Sequence, residues 1–313
     1  MTITFSTARL PRPLRLFVLA VAMAAMWPAA AQEPARMKVV TTFSILADFA
    51  RNVGGDRVDV TSLVGPNGDV HVYAPTAADV QAVKRARLVI INGLGLEGWL
   101  PRLISSSATK AISVVATKGI VPRQVGAGES LARHREVGSA DPHAWQSVEN
   151  AKIYVANIRD AMIEADPANA TTYKDNAAAY LARLDALDRE VRQTIARIPA
   201  DRRKVISAHD AFGYFAAAYG IAFVAPQGVS TETEPSARDV AAVITQIRQQ
   251  KIPAIFLENI SDPRLIRQIA SETGAAVGGT LFSDSLTDPK GAAPTYIDMM
   301  KHNVATIAAA LAP

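Results

Sequence analysis

Short β-branched runs alternate with amphipathic patterns along almost the whole chain. Residues 38–41, 58–61, 88–91 and 112–115 read as strands, and apolar positions recur at helical spacing around 45–53 and 78–85. The second half repeats the theme at 205–207, 221–224, 254–257 and 276–281. This alternation predicts an α/β fold: two similar lobes, each with a mostly parallel four-stranded sheet covered on both faces.

The halves also echo each other in detail. Pro75-Thr76-Ala77-Ala78-Asp79-Val80-Gln81-Ala82-Val83 recurs 160 residues later as Pro235-Ser236-Ala237-Arg238-Asp239-Val240-Ala241-Ala242-Val243, with six identities in nine. Each segment places a hydroxyl three residues before an aspartate, the signature of a capped helix start. Two similar lobes imply a cleft between them, where ligands commonly sit. Between the halves, 168–197 contains neither Gly nor Pro, and Leu181, Leu184, Leu187, Val191 and Ile195 fall at helical spacing. A helix there would be about 36–45 Å long, enough to run the height of both lobes as a rigid connector. The expected organisation is a signal peptide at 1–31, an N-terminal lobe at 32–166, a linker helix at 167–200 and a C-terminal lobe at 201–313.

The first 31 residues change the reading of charge. Arg9, Arg12 and Arg15 precede an apolar run, and Ala29 and Ala31 fit a cleavage site after Ala31. The apolar run is too short for a comfortable span, so stable membrane insertion is not expected. Those three arginines supply most of the formal charge of +4. The remainder is nearly neutral and offers no electrostatic case for binding nucleic acid. There is no cysteine. The chain is therefore expected to be held by core packing, to lack the cysteine on which a bacterial lipoprotein is acylated, and to diffuse freely in the periplasm as a monomer. Any metal site must use imidazole and oxygen donors.

Five histidines are present: His71, His134, His143, His209 and His302. A lone histidine is more often structural than a ligand. His71 lies in a Gly/Pro-rich loop before a capped helix, His143 lies in Asp141-Pro142-His143-Ala144-Trp145, and His209 follows the strand at 205–207. All three fall at the carboxyl ends of strands or in the loops beyond, the edge where open α/β sheets bind ligands. His134, between two arginines, and His302, beside Lys301 in a C-terminal helix, read as surface residues.

These segments resemble the cluster A-I substrate-binding proteins of zinc and manganese ABC transporters over nearly the whole chain. Asp69-Val70-His71-Val72-Tyr73-Ala74-Pro75-Thr76 approximates that family's D-P-H-x-Y-E-P-T-P loop, departing at Val70 and Ala74. D-P-H-x-W is intact at 141–145 and H-D-A-F-G-Y-F at 209–215; Glu234-Pro235-Ser236 and Phe282-Ser283-Asp284-Ser285-Leu286 match two later elements. The resemblance implies His71 and His143 from one lobe, with His209 and Asp284 from the other, on one divalent ion in the interlobe cleft. It implies an ABC permease and its ATPase as partners and leaves room for a periplasmic metallochaperone. Asp69 is a candidate for orienting a ligand imidazole, Glu232, Glu234 and Glu258 are candidates for supporting the site, and Asp210 reads better as a turn or cap residue. Three imidazoles and a carboxylate suit zinc. Manganese or iron, which favour oxygen more, are the alternatives within the family.

Two other classes remain. A zinc hydrolase would keep an open coordination position beside a general base, and no H-E-x-x-H helix is present. A metal-stabilised adhesin would gather its ligands within one small module, whereas these run from 71 to 284.

Overall fold

The computed structural model describes residues 2–4, 36–125 and 138–312. The expected signal segment lies almost wholly outside the described residues, as do His134 and most of the loop at 126–140.

The N-terminal half runs β1 (Met37–Thr41), α1 (Ser44–Gly54), β2 (Val58–Ser62), α2 (Ala77–Arg85), β3 (Leu88–Ile91), α3 (Leu100–Ser107) and β4 (Ile112–Val115). Its four strands are parallel, in the order β2-β1-β3-β4. Leu88, Val89 and Ile90 are fully buried, as an apolar central strand covered on both faces requires. A 3-10 turn at Ala144–Gln146 leads into α4 (Val148–Ala165) and α5 (Ala170–Ala196). The C-terminal half follows: β5 (Lys204–Ile206), α6 (Gly213–Tyr219), β6 (Ala222–Val224), α7 (Ala237–Gln250), β7 (Ala254–Glu258), α8 (Arg264–Thr273), β8 (Ala276–Leu281) and α9 (Tyr296–Leu311). Its parallel order, β6-β5-β7-β8, repeats the first sheet strand for strand.

The internal repeat has a structural counterpart. Thr76 and Ser236 cap α2 and α7 with full capping boxes, each hydroxyl accepting from the N–H of Asp79 or Asp239 while that carboxylate takes the cap's own N–H. Two helix-start donors are satisfied reciprocally in each half.

Helix α5 spans 27 residues, about 40 Å. Its buried stripe of Tyr173, Ala177, Tyr180, Leu184, Leu187, Val191 and Ile195 faces the interior. Tyr180 donates to Asp48 of α1 at 3.2 Å, and Asp188 of the same helix accepts from Tyr219 of α6 at 2.9 Å. The helix is thus tied to both halves.

Sequence pattern portrays α5 as a spine between separate lobes, but the interior is continuous. One hydrophobic cluster takes in Phe49 of α1, Tyr154 of α4, Leu184 of α5, Phe215 of α6 and Tyr296 of α9. Smaller clusters back only the outer face of each sheet, around Leu103 in one half and Ile269 in the other. Helix α9 also crosses over: Asp48 accepts from the N–H of Tyr296, whose hydroxyl donates to the Trp145 carbonyl at 2.6 Å. Opening one half against the other would expose this common core to water.

Candidate metal centre

Both sheets present the carboxyl ends of their strands to one region, at the point where strand order reverses between β1 and β3 and between β5 and β7. The four candidate side chains arrive there by different routes. His71 lies in the loop after β2, where its N–H donates to Oδ1 of Asp69 at 2.9 Å. His143 follows Asp141 by two residues, and Oδ1 of Asp141 lies 2.9 Å from both its N and its Nδ1. His209 follows β5, with Nδ1 2.6 Å from Oε2 of Glu258.

Asp284 follows β8 in a segment gripped from two sides. Asn303 of α9 exchanges hydrogen bonds with the backbone of Phe282. The Ser283 carbonyl accepts from Trp145 Nε1 at 2.9 Å and from Gln146 Nε2 at 2.7 Å. The peptide preceding Asp284 is therefore held by the turn that directly follows His143, so the two halves set each other's geometry.

The four side chains converge. Their donor atoms lie within 4.8 Å of one another. Nε2 of His71 and of His209 are each 3.2 Å from Asp284 Oδ2; Nε2 of His143 is 3.6 Å from Oδ1 and 3.3 Å from Nε2 of His71. His143, His209 and Asp284 are 0% exposed and His71 is 5% exposed. His71 also lines a cavity of about 780 Å³ with Tyr73, Trp99, Leu103 and Glu232, so solvent reaches the cluster from its side.

Burial opposes charge at His143, His209 and Asp284, yet their mutual fields prevail. For His143 burial is outweighed by Asp284 and Asp141, and its pKa is raised to about 9. For His209 burial is outweighed by Glu258 and Asp284, and its pKa is raised well above the usual imidazole range. Asp284 is buried too, but His209 and His143 hold it well below the usual carboxylate range. Without a bound cation, then, protons on His143 and His209 balance the acids.

Of the acidic candidates, neither Asp69 nor Glu234 reaches an imidazole ring, whereas Glu258 does. Asp69 receives the His71 N–H through Oδ1, and its Oδ2 accepts from Thr231 of the opposite half at 2.6 Å. Its carboxylate fixes the loop and not the ring. Glu234 is exposed, lies two residues before the α7 cap and, among the described residues, makes no hydrogen bond to any of the four. The acids behind the rings are Asp141 and Glu258. His302 is half-buried, with Nε2 3.0 Å from the Thr280 carbonyl, and stands outside the cluster.

Gly213, four residues beyond His209, has a spatial role. A Cβ there would meet Arg123 Nη1 and lie 2.6 Å from Asp141 Oδ2. The next residue, Tyr214, donates its hydroxyl to the Asp141 carbonyl at 3.1 Å. The start of α6 is thereby pressed against the acid that orients His143.

Two matched α/β halves enclosing convergent buried donors are the build of a solute-binding protein. The family model of the periplasmic zinc-uptake complex component A, ZnuA, matches residues 39–310, and the chain belongs to that family. The iron-binding protein YfeA of Yersinia pestis is 40% identical over 273 residues, 87% of this chain and 86% of its own. The manganese-binding lipoprotein MntA of Halalkalibacterium halodurans is 34% identical, covering 88% of each chain. Among solved structures, the periplasmic zinc-binding protein TroA of Treponema pallidum matches with a TM-score of 0.82 at 33% identity, over 89% of this chain and all of that one. The chain is thus a metal-binding component of an ABC transporter and not an enzyme; such components act with a permease and an ATPase.

One expectation is corrected by these relatives. MntA and several streptococcal relatives are named lipoproteins, so the expectation of a freely diffusing protein that is not a lipoprotein is withdrawn. That expectation rested on the absence of cysteine alone. Among the described residues, no helix is long and apolar enough to cross a membrane.

Proposed function

We propose that His71, His143, His209 and Asp284 together hold one divalent ion as cargo, with zinc preferred, for delivery to the permease. The observation that carries this reading is the convergence of three Nε2 atoms and a carboxylate in a buried cluster. A tetrahedral zinc with ligand distances of about 2.0–2.1 Å spaces its donors about 3.3 Å apart. Three edges of such a tetrahedron measure close to that length: Nε2 of His71 and of His209 each lie 3.2 Å from Asp284 Oδ2, and Nε2 of His71 and of His143 lie 3.3 Å apart.

The unmet needs of the buried atoms point the same way. Oδ1 of Asp284 and Nε2 of His209 are buried, and although they lie near one another's groups they have no aligned hydrogen-bond partner. Buried polar atoms in that condition are costly, and a cation at their focus satisfies them. Zinc preference follows from three imidazoles, because nitrogen-rich sites favour zinc over manganese in the general affinity order.

A second reading, manganese or iron as cargo, is favoured by one feature. Both oxygens of Asp284 face imidazoles, Oδ1 towards His143 and Oδ2 towards His71 and His209. A bidentate carboxylate raises the coordination number and suits a harder ion. Competition of zinc against manganese for metal-stripped protein separates the two. Zinc should displace manganese at equal concentration; displacement in the other direction would favour the second reading.

The same reading keeps the division into lobes at 32–166 and 201–313 with a linker at 167–200, since each lobe contributes two ligands. The protein would act as a monomer, and a metallochaperone could present its ion from the His71 side, where the cluster meets solvent.

A further inference from the structure

The two histidines of the N-terminal half are presented in the same way. Each follows an aspartate by two residues, and each His N–H donates to that aspartate's Oδ1 at 2.9 Å. The carbonyl in between, of Val70 or of Pro142, accepts a side-chain N–H from a single loop. Trp99 Nε1 donates to the Val70 carbonyl at 2.7 Å, and Asn92 Nδ2 donates to the Pro142 carbonyl at 3.0 Å. One short segment, 92–99, therefore grips the residue immediately before each of these histidines.

That segment is fixed by its own chemistry. Gly93, Leu94 and Gly95 have φ of 86°, 55° and 83°, three successive left-handed residues, one of them carrying a side chain. Such backbone persists where its surroundings over-determine it, and it clusters at functional sites. Glu97 closes the turn from within: Oε1 accepts from Asn92 N at 2.6 Å and from Thr42 Oγ1 at 2.7 Å, and Oε2 accepts from Gly93 N at 3.2 Å. The Asn92 side chain is anchored at its other end too, its Oδ1 accepting from Tyr154 of α4 at 2.6 Å. Asn92 is fully buried, and Trp99 packs edge-on against Tyr73 at 5.2 Å.

We infer that the 92–99 segment is a clamp whose Asn92 and Trp99 set the spacing of His71 and His143, and through it the selectivity of the cation site. This rests on the reading of those histidines as ligands. A hydrogen bond to the preceding carbonyl fixes the peptide plane, and the plane fixes where the histidine's Cβ points. A binding constellation tolerates errors of only about 0.5 Å or 10–20°. Because both carbonyls are held by one turn, the 3.3 Å between the two Nε2 atoms is governed by a part of the chain that makes no hydrogen bond to either ring. Asn92 and Trp99 are positioning residues.

The test uses Trp99→Phe, which removes the indole donor and keeps an aromatic ring beside Tyr73, and Asn92→Asp, which removes the amide donor at nearly constant shape. Glu97→Gln serves if either fails to fold. Zinc and manganese dissociation constants and the melting temperature of metal-stripped protein are measured for each, with His143→Ala alongside. The clamp predicts that zinc affinity falls about tenfold or more, as for other residues supporting a ligand. Manganese affinity should fall less, so the zinc-to-manganese preference shrinks. Unchanged affinity with an unchanged ratio overturns it, as does a loss equal for both metals that only tracks lost stability. If His143→Ala also binds zinc like the parent, the ligand reading itself fails; if His143→Ala alone loses zinc, only the clamp fails.

Discussion

Oε2 of Glu258 lies 2.6 Å from Nδ1 of His209, with both side chains wholly buried, although 49 residues separate them in sequence. Sheet register explains the meeting. Strand β5 pairs with β7 so that Ile206 opposes Ile255, and continuing that register brings His209 level with Glu258. The other oxygen, Oε1, accepts from the N–H groups of Ala208 and His209. Backbone and ring are thus fixed by one carboxylate, which turns Nε2 towards Asp284.

Glu258→Gln should therefore weaken metal binding by about 10–100-fold while leaving the fold intact, as expected for a group that orients an imidazole and raises its basicity. Competition against a chromophoric chelator measures this. An unchanged dissociation constant would show that the ring keeps its orientation without the acid.

Gly213→Ala should be costly by about 1–3 kcal/mol, the usual range for overpacking, because the new methyl meets Arg123 and Asp141. Displacing Asp141 also frees the His143 ring, so metal affinity should fall together with the melting temperature. A variant that melts and binds like the parent would contradict the packing described here.

His209→Glu replaces a nitrogen donor with oxygen and should move preference from zinc towards manganese. Competition binding with both ions reads the change. Unchanged selectivity would mean that spacing outweighs donor type.

The cation-free protein should have a definite pH profile. His143, raised to about 9 from an ordinary 6.5, contributes stability that is complete below 6.5 and is lost as pH rises through about 9. His209 shifts in the same direction. Asp284, held below its ordinary 3.8, contributes stability that is present above 3.8 and lost as pH falls through its lowered value. Metal-stripped protein should thus lose melting temperature between pH 6.5 and 9, and metal binding in that range should blunt the loss. A melting temperature that rises with pH across the window would contradict the electrostatic account.

Much of this was legible in the sequence, and the limits have physical causes. Strands were readable because central parallel strands are buried on both faces and so appear as unbroken apolar runs, as at Leu88–Ile91. The three histidines stood out by lying beyond strand ends. Asp284 depended on resemblance, since an aspartate followed by serine carries little signal alone. Asp69 and Asp141 have the same spacing to their histidines, but only Asp141 reaches the ring; side-chain rotation decides, and spacing cannot reveal it. Glu258 stood among several acidic candidates, but its pairing with His209 comes from strand register, which spacing along the chain does not reveal. The continuous core was hidden as well: a buried stripe on α5 shows that the helix packs, not that both halves pack on it together with α9.

The central claim is that one cation sits on His71, His143, His209 and Asp284. Calorimetric titration of metal-stripped protein with zinc, run in parallel on Asp284→Asn, tests it most directly. The account predicts one ion per chain with submicromolar or tighter affinity, and a large loss of affinity in the variant. Absence of binding, several equivalent sites, or an identical isotherm for Asp284→Asn would contradict it.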